Sequence, residues 1–336
     1  MFKDNILNKI KTSTFLITGG AGFIGSNLVE KLINLNARKI IVLDDLSTGF
    51  YKNIKPYVGL GNFEFIQGSI TDELICNESL KSVDIVFQMA ALGSVPRSID
   101  NPRATNQVNI TGFLNILWAA KENHVKKVVY SSSSSIYGDD NTLPKIETKT
   151  GNPLSPYAVT KKANELYAHT FADVYNLDIV GLRYFNVFGP RQNIKGAYAA
   201  VIPIFISNLL QKDVCYINGD GEISRDFTYV DNVVNANILA AFAELKTKHD
   251  IFNIAMGDQL SLNDLYDKLE SEIKTGLEPI HRDSRAGDIQ NSQADISKAK
   301  NLLNYIPKTG VEDGLIKTIN WYSLDKVQQT ASERIE

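Results

Sequence analysis

Short apolar runs rich in β-branched residues alternate with longer stretches of helical periodicity through the first half of the chain. Phe15–Thr18, Ile40–Asp44, Phe63–Gln67, Ile85–Gln88, Val128–Ser131 and Ile179–Arg183 read as strands. Ile24–Leu35, Gly112–Asn123 and Pro156–Tyr175 read as helices, Pro156 standing at a helix start, where its missing N–H costs nothing. This alternation predicts an α/β fold, a doubly wound parallel sheet of the Rossmann type. After Arg183 the pattern loosens, and loops with Gly, Asn and Pro (Asn186–Gly196, Asn218–Gly221, Arg282–Ile289) separate short apolar segments. A smaller α/β substrate-binding domain over 186–330 is expected, interleaved with a cofactor-binding domain over 1–185 that is rejoined at about 230–256. Ile251–Ala255 would be its last strand.

The length of 336 residues suffices for both units. With 35 basic and 38 acidic side chains the net charge is −3, and no basic block runs along the chain, which argues against a nucleic-acid partner. Cys76 and Cys215 are the only cysteines and have no metal or redox spacing. No metal site and a reducing compartment are expected. Met1–Lys11 lacks the long apolar core of a signal peptide or membrane span, so a soluble, cytoplasmic protein without membrane contact is expected.

The candidate chemistry begins at Thr18-Gly19-Gly20-Ala21-Gly22-Phe23-Ile24-Gly25, which follows a predicted strand and opens a predicted helix. Glycines there let the backbone turn and approach a pyrophosphate held by the helix N-terminus. The second strand ends in Asp44-Asp45, where a carboxylate can bind the adenine ribose hydroxyls and repel a 2′-phosphate. NAD is therefore expected rather than NADP. Further on, Tyr157 and Lys161 stand four apart and share a helix face. A cation beside a phenol favours phenolate; bringing a Tyr from about 10 to neutrality takes roughly three units, or about 4 kcal/mol. Alone, the same spacing also fits an exposed Tyr with a Lys one turn later.

The glycine loop, Asp44, Gln88-Met89-Ala90-Ala91, Asn109, the serine run ending Ser133-Ser134-Ser135-Ile136-Tyr137-Gly138, Tyr157-x-x-x-Lys161 and Leu182-Arg183-Tyr184-Phe185-Asn186 together resemble the extended short-chain dehydrogenase/reductases. Within that family the chain is most similar to UDP-sugar 4-epimerases, and specifically to the UDP-N-acetylglucosamine 4-epimerases of O-antigen and capsule pathways. The stretches Ala90–Ser98, Gly196–Pro203 and Asn218–Glu222 look like that subgroup. The resemblance implies an NAD site formed by Gly19, Gly22, Phe23, Ile24, Gly25, Asp44, Asp45, Ser47, Thr48, Gly49, Ser69, Ile70, Gln88, Ala90, Ala91, Asn109, Tyr157, Lys161 and Tyr184. It implies Ser133, Tyr157 and Lys161 as the catalytic group, with Tyr157 the base and Lys161 lowering its pKa. It implies UDP-sugar contacts at Ser94, Ser133, Ser134, Ser135, Tyr157, Asn186, Ala200, Val201, Tyr216, Asn218, Arg225, Arg285, Asp288 and Ser292. A homodimer through the Gly112–Asn123 and Pro156–Tyr175 helices is implied in the same way. One departure is Gly68-Ser69-Ile70, where similar enzymes carry Gly-Asp-Ile, which weakens the expected hydrogen bond near the adenine.

Sibling enzymes that remove water carry Thr-Asp-Glu at the place of Ser133-Ser134-Ser135, and decarboxylating ones a Glu at the place of Ser135. Serines supply no carboxyl for either step, which leaves epimerisation. Ser292 occupies a place where family members restricted to unacetylated hexoses can carry Tyr; a small side chain favours UDP-GlcNAc and UDP-GalNAc over UDP-Glc and UDP-Gal. A uronic acid substrate, a dehydratase or decarboxylase, and an NAD-binding scaffold without catalysis are the other readings.

Overall fold

The computed structural model of the chain describes residues 2–194, 200–283 and 291–332, with side chains of the last helix described as far as Leu324. Seven strands form one sheet: β1 (Thr14–Thr18), β2 (Lys39–Asp44), β3 (Phe63–Gln67), β4 (Ile85–Gln88), β5 (Lys127–Ser133), β6 (Ile179–Tyr184) and β7 (His249–Ile254). Their spatial order is β3-β2-β1-β4-β5-β6-β7, and every pair is parallel. Strand order reverses between β1 and β4, and ligands of such sheets bind in the crevice beyond the strand ends there.

Alternation along the strands feeds two apolar layers. Phe15, Ile17, Val42, Phe87, Val129 and Leu182 face one side, where Leu28, Val29 and Leu32 of the Phe23–Asn34 helix cover them. Leu16, Ile41, Leu43, Val86, Val128 and Tyr130 face the other, against Ile116 and Leu117 of the Phe113–Glu122 helix and Phe171 of the Pro156–Tyr175 helix. Ser155 caps this last helix, its Oγ accepting from Ala158 N at 3.2 Å, and Pro156 occupies its first turn as expected.

Two expectations need revising. Strand β5 runs past Ser131 to Ser133, because the serines continue the ladder with Leu182, Arg183 and Tyr184 of β6, and pairing overrides their weak strand preference. The weakly patterned second half also holds substantial helices, including Val201–Gln211, Val230–Phe242, Leu262–Ile273 and Val311–Ser332. Among the described residues no helix is long and apolar enough to cross a membrane, and no group of His, Cys, Asp or Glu could hold a metal ion.

Candidate active site

Gly19 takes φ +66°, and a Cβ there would lie 2.8 Å from the Ala90 backbone. Gly25 lies so close to the turn that a Cβ would meet Gly19 O at 2.1 Å. Gly22 caps the Phe23–Asn34 helix without a side-chain acceptor, and no acidic residue stands in its first turn. The opening N–H groups of this helix are thus left for an anion, and the bare backbone admits one closely, so the loop fits a pyrophosphate. Gly25→Ala is expected to lower NAD affinity at least about tenfold, measured by calorimetric titration, because the added methyl must push the turn out of register; unchanged affinity would contradict the cradle.

Asp44 is buried at the end of β2, and its carboxylate accepts from Ala21 N at 2.9 Å and Leu46 N at 2.8 Å. Burial pushes its pKa up, against the pull of those two amides. The side chain therefore fixes the glycine loop as well as closing the cavity wall. Asp45 accepts from Ser47 N at 2.9 Å and holds the next turn.

A cavity of about 420 Å³ joins this loop to the ends of β4, β5 and β6. Of the expected cofactor residues it is lined by Gly19, Gly22, Phe23, Ile24, Gly25, Asp44, Asp45, Ser47, Thr48, Ile70, Ala90, Ala91, Tyr157, Lys161 and Tyr184. Gly49, Ser69, Gln88 and Asn109 are not on its wall. A Cβ at Gly49 would lie 2.9 Å from Ala21 C, so this residue packs behind the loop. Ser69 Oγ accepts from Thr71 N at 3.3 Å and Thr71 Oγ1 at 3.0 Å. Gln88 Oε1 accepts from Thr18 Oγ1 while its Nε2 donates to Ala90 O at 3.1 Å. Asn109, buried in a π-helical turn over Gln107–Gly112, bonds both backbone polar groups of Leu92 and Thr160 Oγ1. Gly49, Gln88 and Asn109 brace the wall from behind.

The Pro156–Tyr175 helix brings Tyr157 and Lys161 against the end of β5. Lys161 is buried and its Nζ donates to Ser131 O at 2.6 Å and Ser131 Oγ at 3.2 Å. Burial lowers its pKa to about 8. Desolvation holds the Tyr157 phenol above its ordinary value, against the opposing pull of the Ser133 hydroxyl. Lys161 Nζ stands 5.9 Å from the centre of the Tyr157 ring.

The expected sugar-nucleotide residues are dispersed. Ser133, Tyr157 and Asn186 line the main cavity. Asn186 has φ +33° and donates from Nδ2 to Asp226 O at 3.2 Å. Ser94 caps the Val95–Asp100 helix through a 3.3 Å bond from Arg97 N. Ser134 and Ser135 lie in a tight turn after β5, and Ser135 Oγ is buried without a hydrogen-bond partner among the described residues. Ala200 and Val201 open a helix, and Tyr216 and Asn218 lie on a short strand paired with Ile280–Arg282, where the Arg282 guanidinium stands 4.0 Å over the Tyr216 ring. Arg225 lines a separate cavity of about 340 Å³ with Phe227 and Lys268. Ser292 N donates to Ser224 O at 3.2 Å beside it. Arg285 and Asp288 lie outside the described residues.

The main cavity also exposes Arg97, Arg191, Gln192 and Asn193, which the motifs did not single out. Arg191 is held by Glu30 Oε2 at 2.9 Å, and the Gly-Pro turn before it was the available signal. Ser131 was missed as the partner of Lys161; its signal was a serine run longer than one catalytic hydroxyl requires.

A half-buried phenol beside a buried ammonium on the wall of a dinucleotide cradle suits hydride exchange with an alcohol carbon, which places the molecule among Rossmann-fold nicotinamide enzymes. A family model described as the NAD dependent epimerase/dehydratase family matches residues 15–255, and the chain belongs to that family. It is 38% identical over 308 residues to a putative UDP-glucose 4-epimerase of Methanocaldococcus jannaschii, covering 91% of this chain and 97% of that protein. The UDP-N-acetylglucosamine 4-epimerase of Methanobrevibacter ruminantium, solved with UDP-N-acetylmuramic acid, is 39% identical with a TM-score of 0.88, over 93% of this chain and 99% of that one. A UDP-glucose 4-epimerase of Thermus thermophilus, solved with NAD, is 31% identical with a TM-score of 0.82, over 92% of this chain and 99% of that one. The chain is thus an NAD-dependent enzyme and an isomerase.

Proposed function

We propose that the enzyme catalyses reversible C4 epimerisation of UDP-N-acetylhexosamines through a 4-keto sugar, acting more slowly on UDP-Glc and UDP-Gal. The observation that carries this is the Ser133–Tyr157–Lys161 group on the cavity wall, followed by serines rather than carboxyls at 134 and 135. NAD bound in the cradle supplies the acceptor and donor of the C4 hydride. Tyr157 takes the proton of the sugar 4-hydroxyl and later returns it, while Ser133 orients that oxygen. Lys161, fixed by Ser131, holds the nicotinamide ribose. No acid stands at 134 or 135 to release water from C6, so the keto sugar turns its other face and is reduced again. Arg225, Arg285, Asp288 and Asn186 anchor the diphosphate and uridine during that turn, an arrangement suited to guanidinium–phosphate geometry. The small Ser292 leaves room for the acetamido group. The cofactor half is 1–185 with 230–256, and 186–330 provides the interleaved sugar-nucleotide half. The exposed Trp118, Leu166, Tyr167, Val174 and Tyr175 on two helices suit a second copy of the chain, and the enzyme works in the cytoplasm in polysaccharide precursor synthesis.

Incubation with UDP-GlcNAc is expected to yield UDP-GalNAc of unchanged mass, with kcat/KM at least about tenfold above that for UDP-Glc, the order of one pocket-filling group. Loss of water from UDP-GlcNAc, loss of carbon dioxide from UDP-GlcNAcA, or faster epimerisation of UDP-GlcNAcA would overturn the reading.

A further inference from the structure

Three residues of the helix that carries Tyr157 hold the end of β5, and only two of them are assigned to the reaction. Tyr157 stands beside Ser133, and Lys161 Nζ donates to Ser131 O at 2.6 Å and Ser131 Oγ at 3.2 Å. One turn further, Glu165 accepts from Ser132 Oγ at 2.7 Å. Positions 157, 161 and 165 form one row on the helix, each a turn beyond the last. They grip three consecutive residues of one strand. Ser132 points away from the flanking serines, as strand alternation requires, and is buried to 2% exposure.

The third contact is built as a rigid one. Glu165 takes both Nε and Nη2 of Arg183 at 2.8 Å, and both residues are buried. Arg183 stands directly across the ladder from Ser132, so one carboxylate spans β5, β6 and the helix. Arg183 Nη1 goes on to Tyr137 Oη at 3.0 Å, and Tyr137 donates to Asn253 Oδ1 of β7 at 2.6 Å. Fold stability alone does not call for the Ser132 bond, since Glu165 is already paired through two N–H groups. What the bond adds is a fixed register between the strand end and the helix row.

We propose that Ser132 is a positioning residue, which through Glu165 and Arg183 sets the register that keeps Ser133 against Tyr157 and Ser131 against Lys161. This rests on the redox reading of those residues. A displacement of about 1 Å at such contacts can cost on the order of a hundredfold in rate, and partial loosening costs less. Ser132→Ala removes only the third contact; it leaves Glu165 bonded to Arg183, so the variant retains a paired core where Glu165→Ala or Arg183→Ala can fail to fold.

The test compares wild type and Ser132→Ala in two ways. The first is an ultraviolet titration of the Tyr157 phenolate, read as the difference from Tyr157→Phe in each background. Desolvation and the Ser133 hydroxyl act on that phenol, with the Lys161 ammonium 5.9 Å from its ring. Loss of Ser132 is expected to move it to higher pH, since the Ser133 bond favours the phenolate. The second is steady-state turnover of a UDP-sugar, with kcat expected to fall about tenfold while KM, NAD affinity and melting temperature stay close to wild type. A phenolate titration that coincides with wild type overturns the role, as does a fall in kcat matched by equal losses in NAD affinity and melting temperature. The titration needs no substrate, so it decides the role of Ser132 even if no UDP-sugar is turned over, an outcome that would sink the epimerase reading instead.

Discussion

Tyr157→Phe is expected to reduce epimerisation about 10³-fold while leaving NAD affinity within about twofold. The phenol is the ionisable oxygen that the helix places beside Ser133 on the cavity wall. General acid–base groups contribute about 10²–10⁴ in rate, and a thousandfold loss corresponds to about 4 kcal/mol of barrier. Phe preserves the ring and its packing, so the cradle made by Gly19, Gly22 and Gly25 is untouched. Stopped-flow measurement of nicotinamide reduction with UDP-GlcNAc separates the hydride step from product release. Reduction at the wild-type rate in the Phe variant would remove Tyr157 from the chemistry.

Arg183→Met is expected to destabilise the protein by about 3–5 kcal/mol, the range found when one partner of a buried ion pair is removed. Glu165 would keep a single donor, Ser132, for a carboxylate that is 4% exposed, and Tyr137 would lose its guanidinium neighbour. Neutralising the stranded carboxylate in the double variant Arg183→Met, Glu165→Leu should recover most of the loss, because an apolar pair of similar volume is often as stable as a buried ion pair. Denaturant unfolding measures both. A single-variant loss below about 1 kcal/mol would show that water or rearrangement rescues Glu165.

The parts of the site that were legible are those set by short-range requirements. Gly19 needs a left-handed turn and Gly25 a close approach, and both follow from local spacing after a strand. Tyr157 and Lys161 could be paired because a helix fixes which residues share a face. The sign of the Tyr157 shift was not legible, since it depends on burial by elements remote in sequence. Nor were the second-half helices: nine positions of Val230–Phe242 are buried, and a helix enclosed on most sides has little amphipathic period to read. Ser132 and Ser134 look alike in sequence; the register with β6 alone gives Ser132 its carboxylate partner.

The seventh strand has a bearing on how the chain is made. Its partner β6 ends at Tyr184 and β7 ends at Ile254, so the sheet's last pairing spans 254 − 184 = 70 residues of intervening synthesis. At a ribosomal rate of about 5–20 residues per second, β6 is an open edge for about 4–14 s after it leaves the tunnel. Such an edge is a template for pairing with another chain, and it belongs to the strand that carries Arg183. The nascent chain is thus open to mispairing one strand away from Ser131–Ser133, and the late arrival of β7 closes that interval.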